Sequence, residues 1–179
     1  MLLQRIKDFV KVIWMIEQLI RLHISISRWF YYRAPGLGKA ISLILDRILL
    51  FLMGIDLQSQ SIQVRVLSIA HPVGILLGGN GVISSGRVAI MAGVKLVGRS
   101  PSDPEYISRH KTKSVFSFGD NVVIGANSVV VGPVDICDNV VIGAMSLVNT
   151  SIQEPGVYVG IPAKKIKEHV TDEWLSHLR

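Results

Sequence analysis

The 179-residue sequence predicts a mainly β fold, a parallel β-solenoid of about four to five coils behind a short α-helical N-terminal region. The leading observation is a period of six. Counting in sixes from Phe118 gives Ile124, Val130, Ile136, Ile142 and Val148, and four residues after each come Val122, Ser128, Val134, Val140, Ser146 and Ile152. The first set is large and apolar, the second small or β-branched. Between them stand Gly119, Asp120, Asn121, Gly125, Ala126, Asn127, Gly143 and Ala144, residue types that favour tight corners or positive φ. The last observation is a change of composition at Asp56, where helix formers give way to Val, Ile, Gly, Ser and Asn. A six-residue unit is too short to bury its own apolar side chain, so it must stack on units above and below.

Taken in order, residues 1–55 read as helices. Ile6, Phe9, Val10, Ile13, Ile16, Leu19 and Ile20 recur at steps of three and four, one face of an amphipathic helix with Arg5, Lys7, Asp8 and Lys11 turned away. Ala34-Pro35-Gly36 breaks that pattern, and a second helix follows at about Lys39 to Gly54, apolar almost all round apart from Asp46 and Arg47. The solenoid is expected over 56–166. Val88, Ile90, Val94 and Leu96 keep its four-and-two spacing, with one residue too many upstream at Ser84-Ser85-Gly86. Residues 99–113 have no six-residue period, two prolines and many charges, and read as a loop thrown out from a corner. Residues 167–179 form a tail in which Val170 to Leu178 fit a short amphipathic helix.

Composition limits the function classes. With 49% hydrophobic and 18% charged residues and a mean hydropathy of +0.44, the chain has too much apolar surface to stay disordered. Only residues 66–86 offer an uncharged window long enough to span a bilayer, and its His71, Pro72, Asn80, three serines and five glycines suit a lipid-facing helix poorly. Lys7, Asp8, Lys11 and Glu17 interrupt any signal-peptide core, so a cytoplasmic protein is expected. The single Cys137 excludes an internal disulfide and a multi-Cys zinc site, and no metal is expected. Residues 1–55 hold eight basic and three acidic side chains, +5 of the net +6. With no nucleic-acid motif there, the inner face of a membrane or another anionic surface is the expected partner of that segment.

The repeat and corners resemble the hexapeptide-repeat acyltransferase family, and Gly160-Ile161-Pro162-Ala163-Lys164-Lys165-Ile166 resembles the end of that family's acetyltransferase solenoids. Ala70-His71-Pro72-Val73-Gly74-Ile75 is similar to the base-bearing segment of serine O-acetyltransferases and of colanic-acid-type, capsular polysaccharide acetyltransferases. The resemblance implies a left-handed β-helix, three units per coil, acetyl-CoA as co-substrate and a homotrimer with its active site between neighbouring solenoids. It also implies that His71 is the general base. An alcohol is a weak nucleophile at neutral pH, and an imidazole can take its proton as it attacks the thioester.

Asp56 lies fifteen residues before His71, where the family places the carboxylate that holds the imidazole. At 18 residues per coil that offset predicts a position nearly beneath the base, from which it would fix the tautomer and stabilise the imidazolium. Ser108-Arg109-His110 resembles the acceptor-binding segment of the family, which implies that His110 helps to bind the acceptor, while Arg109 is a cation suited to an acidic sugar or the phosphates of CoA. Gly125-Ala126 and Gly143-Ala144, 18 residues apart, match the family's CoA-contacting corners, and Lys164 and Lys165 its phosphate contacts. Arg99, Lys111 and Lys113 are further cationic candidates in the 99–113 segment.

Other chemistries fit poorly. Cys137 has no His near it in sequence, Gly78-Gly79-Asn80-Gly81 lacks the Lys-Ser/Thr of a phosphate loop, and His71 and His110 are the only solenoid histidines. Three functions stay open on sequence. The first is acetylation of a capsular or exopolysaccharide sugar or its precursor, which Ala70 favours, since serine acetyltransferases carry an Asp there. The second is O-acetylation of serine for cysteine synthesis. The third is a trimeric scaffold without activity.

Overall fold

The computed structural model describes residues 2–168 and 170, with side chains from residue 16 onward. Two helices come first, α1 (Leu2–Arg33) and α2 (Leu37–Met53). Gly38 lets them close up, since a Cβ there would press on the Phe30 carbonyl and the Ala34 methyl. Gly54 ends α2 in the left-handed conformation at φ 65°, and its N–H reaches the Leu50 carbonyl at 2.8 Å. Ile20, Ile24 and Leu49 share one continuous apolar core with Ile55, Leu57 and Ile62, so the helices plug the first coil of the solenoid. The side chains of the predicted face Ile6, Phe9, Val10 and Ile13 lie outside the described residues. No helix among the described residues is long and apolar enough to cross a membrane.

The solenoid has three faces and five coils. The first face stacks β1 (Ile55–Leu57), β3 (Ile75–Leu77), β5 (Lys95–Gly98), β8 (Val129–Gly132) and β11 (Leu147–Val148). The second stacks the opening halves of β2 (Ile62–Ala70) and β4 (Val82–Met91), then β6 (Phe116–Phe118) and β9 (Val134–Ile136). The third stacks the closing halves of β2 and β4, then β7 (Val122–Ile124), β10 (Val140–Ile142) and β12 (Gly156–Gly160). All of these pairs are parallel. The antiparallel β13 (Ala163–Lys167) folds back on β12 at the end of the stack.

The hexad accounts for the burial. Val122, Ile124, Val130, Val140 and Ile142 are fully buried, and the small inward Ser128 and Ser146 are satisfied inside, Ser128 Oγ donating to the Gly143 carbonyl at 2.8 Å. Each such apolar side chain contributes on the order of 1.5–3 kcal/mol by leaving water. Outward-pointing Ala89, Val123 and Val141 are buried too, in a small cluster that includes Val170. Apart from Val170, the predicted helix over Val170 to Leu178 lies outside the described residues.

The coils are not uniform. Val122 pairs with Val140 and Leu147 with Val129, the 18-residue repeat, but Ile55 pairs with Ile75 and Ile62 with Val82, a repeat of 20. The surplus residue at Ser84-Ser85-Gly86 is a bulge: Val64 pairs with Ser84 and Val66 with Arg87, leaving Arg65 opposite two residues. Residues 99–113 are not simply a loop. Pro104–Lys111 form a helix, α3, capped by Asp103, whose carboxylate accepts from the Glu105 and Tyr106 amides at 2.9 and 3.1 Å. Asp-Pro at N-cap and N1 is a helix start that the absence of a six-residue period obscured.

Candidate active site

The edge between the third and first faces carries His71. Each coil turns there through small residues, and their backbones form a ladder: Gly93 N–H to the Val73 carbonyl at 2.8 Å, Asn127 N–H to Ala92 at 2.9 Å, and Met145 N–H to Ala126 at 2.9 Å. His71 and both predicted Gly-Ala corners therefore share one edge. Adjacent coils are about 4.8 Å apart, which sets Ala126 about 10 Å and Ala144 about 14 Å above the His71 turn. A Cβ at Gly125 would stand 2.6 Å from the Ala144 nitrogen, so this close stacking requires glycine. The N–H groups of Ala126 and Ala144 have no acceptor among the described residues. His71 follows the last residue of β2 at φ 55°, with its side chain exposed at the open end of this strip.

The register of the 20-residue first coil stacks Asp56 under Leu76 on the first face, five residues past His71. Its carboxylate meets Arg47 Nη1 at 3.4 Å. No hydrogen bond or ion pair joins Asp56 to His71 among the described residues. The offset of fifteen positions assumed a repeat of 18, which the lowest coil does not follow.

His110 sits on a different edge, between the first and second faces. It lies on α3 and lines a cavity of about 360 Å³ with Tyr31, Gln58, Gln60, Asn80 and Lys113. Asn80 Nδ2 donates to the His110 carbonyl at 2.9 Å, and the Tyr106 ring stands 5.5 Å from the imidazole. Lys113 donates to Tyr32 Oη at 3.2 Å and lies over the Tyr31 ring. The first face separates His71 from His110, so one chain does not bring them together.

Arg109 is engaged within its own chain. Its guanidinium grips Asp135 at 2.6 and 3.1 Å and its Nε donates to the Ser114 carbonyl at 2.8 Å, which fastens α3 to β9. Arg99 is similarly occupied, by Asp103 at 3.5 Å and the Asn149 carbonyl at 3.4 Å. Lys165 bonds Glu168 and Glu154, and these bonds hold its ammonium well above the ordinary lysine range. Lys164, exposed opposite Val159 in the terminal hairpin, has no acidic partner among the described residues. Burial, with Asp138 beside it, pushes the Cys137 thiol up and keeps it protonated, which disfavours it as a nucleophile.

Residues 117–150 match the family model described as bacterial transferase hexapeptide (six repeats). Among solved structures the chain is similar to serine acetyltransferase from Brucella abortus strain S19, with a TM-score of 0.68 and 21% identity over 83% of this chain and 55% of that one. The same enzyme has been solved in complex with coenzyme A. Neisseria gonorrhoeae serine acetyltransferase gives 0.68 and 23% over 86% and 56%, and the soybean enzyme complexed with serine gives 0.64 and 20% over 80% and 54%. The chain thus spans a little over half the length of these proteins. No curated protein matches it in sequence. The repeat, the three-faced parallel stack and these likenesses make the chain a left-handed parallel β-helix that carries the bacterial transferase hexapeptide repeat over residues 117–150.

Proposed function

We propose that the protein is an acetyl-CoA-dependent O-acetyltransferase that works by direct transfer. The observation that carries this reading is the shared edge: an exposed His71 at one end of a strip whose Gly-Ala corners leave backbone amides open to a pantetheine arm. CoA would lie along Gly125-Ala126 and Gly143-Ala144, with Lys164 meeting its phosphates; Lys165 is already neutralised by two carboxylates. His71 takes the hydroxyl proton as the acceptor oxygen attacks the thioester carbonyl. The tetrahedral adduct collapses, the C–S bond breaks, and the proton passes from the imidazolium to the departing thiolate. Asp56 is assigned the stabilisation of that imidazolium, for which its carboxylate must exchange Arg47 for the imidazole. Its support is a position two residues past Gly54, whose carbonyl accepts from Ile75 at the turn that follows His71.

His110 is assigned to acceptor placement. Because it stands on another edge from His71, the reading requires a second copy of the chain, with the site formed between neighbouring solenoids of a trimer. The acceptor is assigned as a sugar hydroxyl of a capsular or exopolysaccharide, or its precursor, since Ala70 stands where serine acetyltransferases carry an Asp. A second acceptor, serine, is favoured by the fold, which the soybean enzyme complexed with serine shares. Release of free CoA, followed with serine and with oligosaccharide acceptors, separates them; saturable turnover with serine alone overturns the sugar reading. His71→Asn keeps a residue that tolerates positive φ and removes the base, and turnover should fall roughly 10²- to 10⁴-fold. Unchanged turnover overturns the base, and no CoA release with any hydroxyl acceptor leaves a scaffold.

A further inference from the structure

We propose that the cleft between α1 and the first coil is a binding site for a phosphate group on a ligand that also carries an apolar or ring-shaped part. The cleft encloses about 570 Å³, and four guanidiniums border it: Arg21, Arg28 and Arg33 from α1 and Arg65 from β2. Trp29 and Tyr32 stand among them, 56% and 57% exposed. Arg21 is a fixed part of the wall, its Nε donating to the Leu67 carbonyl at 2.7 Å and its Nη2 to Glu17 at 2.7 Å. Arg28, Arg33 and Arg65 have no acidic partner among the described residues.

Gathering three uncompensated cations around one concavity destabilises a fold unless an anion answers them. The guanidinium fork matches phosphate oxygens two at a time, and each such charge-assisted pair is stronger than a neutral hydrogen bond. The aromatic pair adds a second requirement. Exposed Trp29 continues a ridge of exposed Leu22 and Ile26 along α1, so an apolar surface borders the cationic one. Such a surface suits a sugar ring stacked on an indole or the acyl region beside a headgroup. A soluble sugar phosphate and a phospholipid headgroup both present this chemistry. The Arg65 position depends on the bulge opposite Ser85 and Gly86, and a strand rise of about 3.3 Å per residue sets it about 20 Å along β2 from His71. Nothing in the assignment rests on the transferase reading.

Two probes test it on the full chain at about 150 mM salt, where weak surface attraction is screened. Inorganic pyrophosphate is titrated calorimetrically, and vesicles of phosphatidylcholine with and without phosphatidylglycerol are co-sedimented with the protein. Saturable pyrophosphate binding without vesicle binding identifies a soluble ligand; sedimentation only with phosphatidylglycerol identifies a headgroup; either supports the site. Arg28→Gln with Arg65→Gln should weaken the positive probe at least about tenfold. The single, exposed Arg65→Gln should give a smaller loss of the same sign. Lys39→Gln with Lys95→Gln removes the same charge away from the cleft and should change binding less than about twofold. The proposal is overturned when neither probe binds, when the arginine pair binds as the parent does, or when the lysine pair weakens binding equally.

Discussion

Asp46 shows what single residues contribute to this molecule. It is 4% exposed between α1, α2 and the Ser59 turn; its Oδ1 accepts from Ser27 Oγ at 2.9 Å and Ser59 Oγ at 2.6 Å, and its Oδ2 from the Ser59 amide at 2.9 Å. Burial pushes its carboxyl up, but His23 beside it and the bonds from Ser59 and Ser27 outweigh that and hold it below the ordinary carboxylate value. A lowered folded value means that the stabilisation is present above the unfolded value of about 3.9 and fades as pH falls through the folded one. Asp46→Asn should therefore cost about 2–3 kcal/mol at neutral pH, and the gap from the parent should close below about pH 4. Denaturant melts of both proteins across that range check it; a gap that stays constant into acid refutes the assignment. In sequence Asp46 was visible only as a charge on an apolar helix, because its partners come from residues 13 to 23 positions away. His71 stood out in sequence through the resemblance of its segment, Ala70 to Ile75, which does not itself announce the turn that closes β2 there. The register of Asp56 was not legible, because its own coil repeats at 20 with an extra turn at residues 59–61, which no count from the regular coils supplies.

At the scale of elements, α3 owes its place to a few polar ties more than to apolar contact. None of its residues is fully buried, and Tyr106, packed partly on the core, is its main apolar contact. The Arg109–Asp135 fork and the Asn80–His110 bond do the fastening. Arg109 is 17% exposed and Asp135 53%, so screening limits the pair, and Arg109→Gln should cost about 1 kcal/mol. The larger effect is local: amide exchange over residues 104–113 should quicken while the buried strands β7 and β10 stay protected. Unchanged exchange in that segment removes Arg109 from the role. The sequence marked Arg109 as a substrate contact because a cation in a charged segment carries no sign of its partner, and Asp135 is 26 residues away on the next coil. The regular coils were readable because their stacking repeats one local rule.

For the whole molecule, the two histidines on separate edges turn oligomeric state into a question about catalysis. If the site joins His71 of one copy to His110 of the next, neither His71→Asn nor His110→Asn trimers contain an intact site. A cyclic trimer assembled from both variants does contain some. A given site is intact when one subunit supplies His71 and the following one supplies His110, which random assembly of equal amounts achieves in about one quarter of sites. Co-expression of the two variants should thus restore about 25% of the CoA release of the parent, with a trimer mass by light scattering. Refolding the two variants separately and mixing them afterwards, without subunit exchange, should restore none. A site confined to one chain gives no recovery in either protocol, because every chain then lacks one histidine. Recovery after co-expression alone therefore tests the trimer and the division of the site between copies together, and it does so with two substitutions at exposed side chains that leave the buried stack of coils intact.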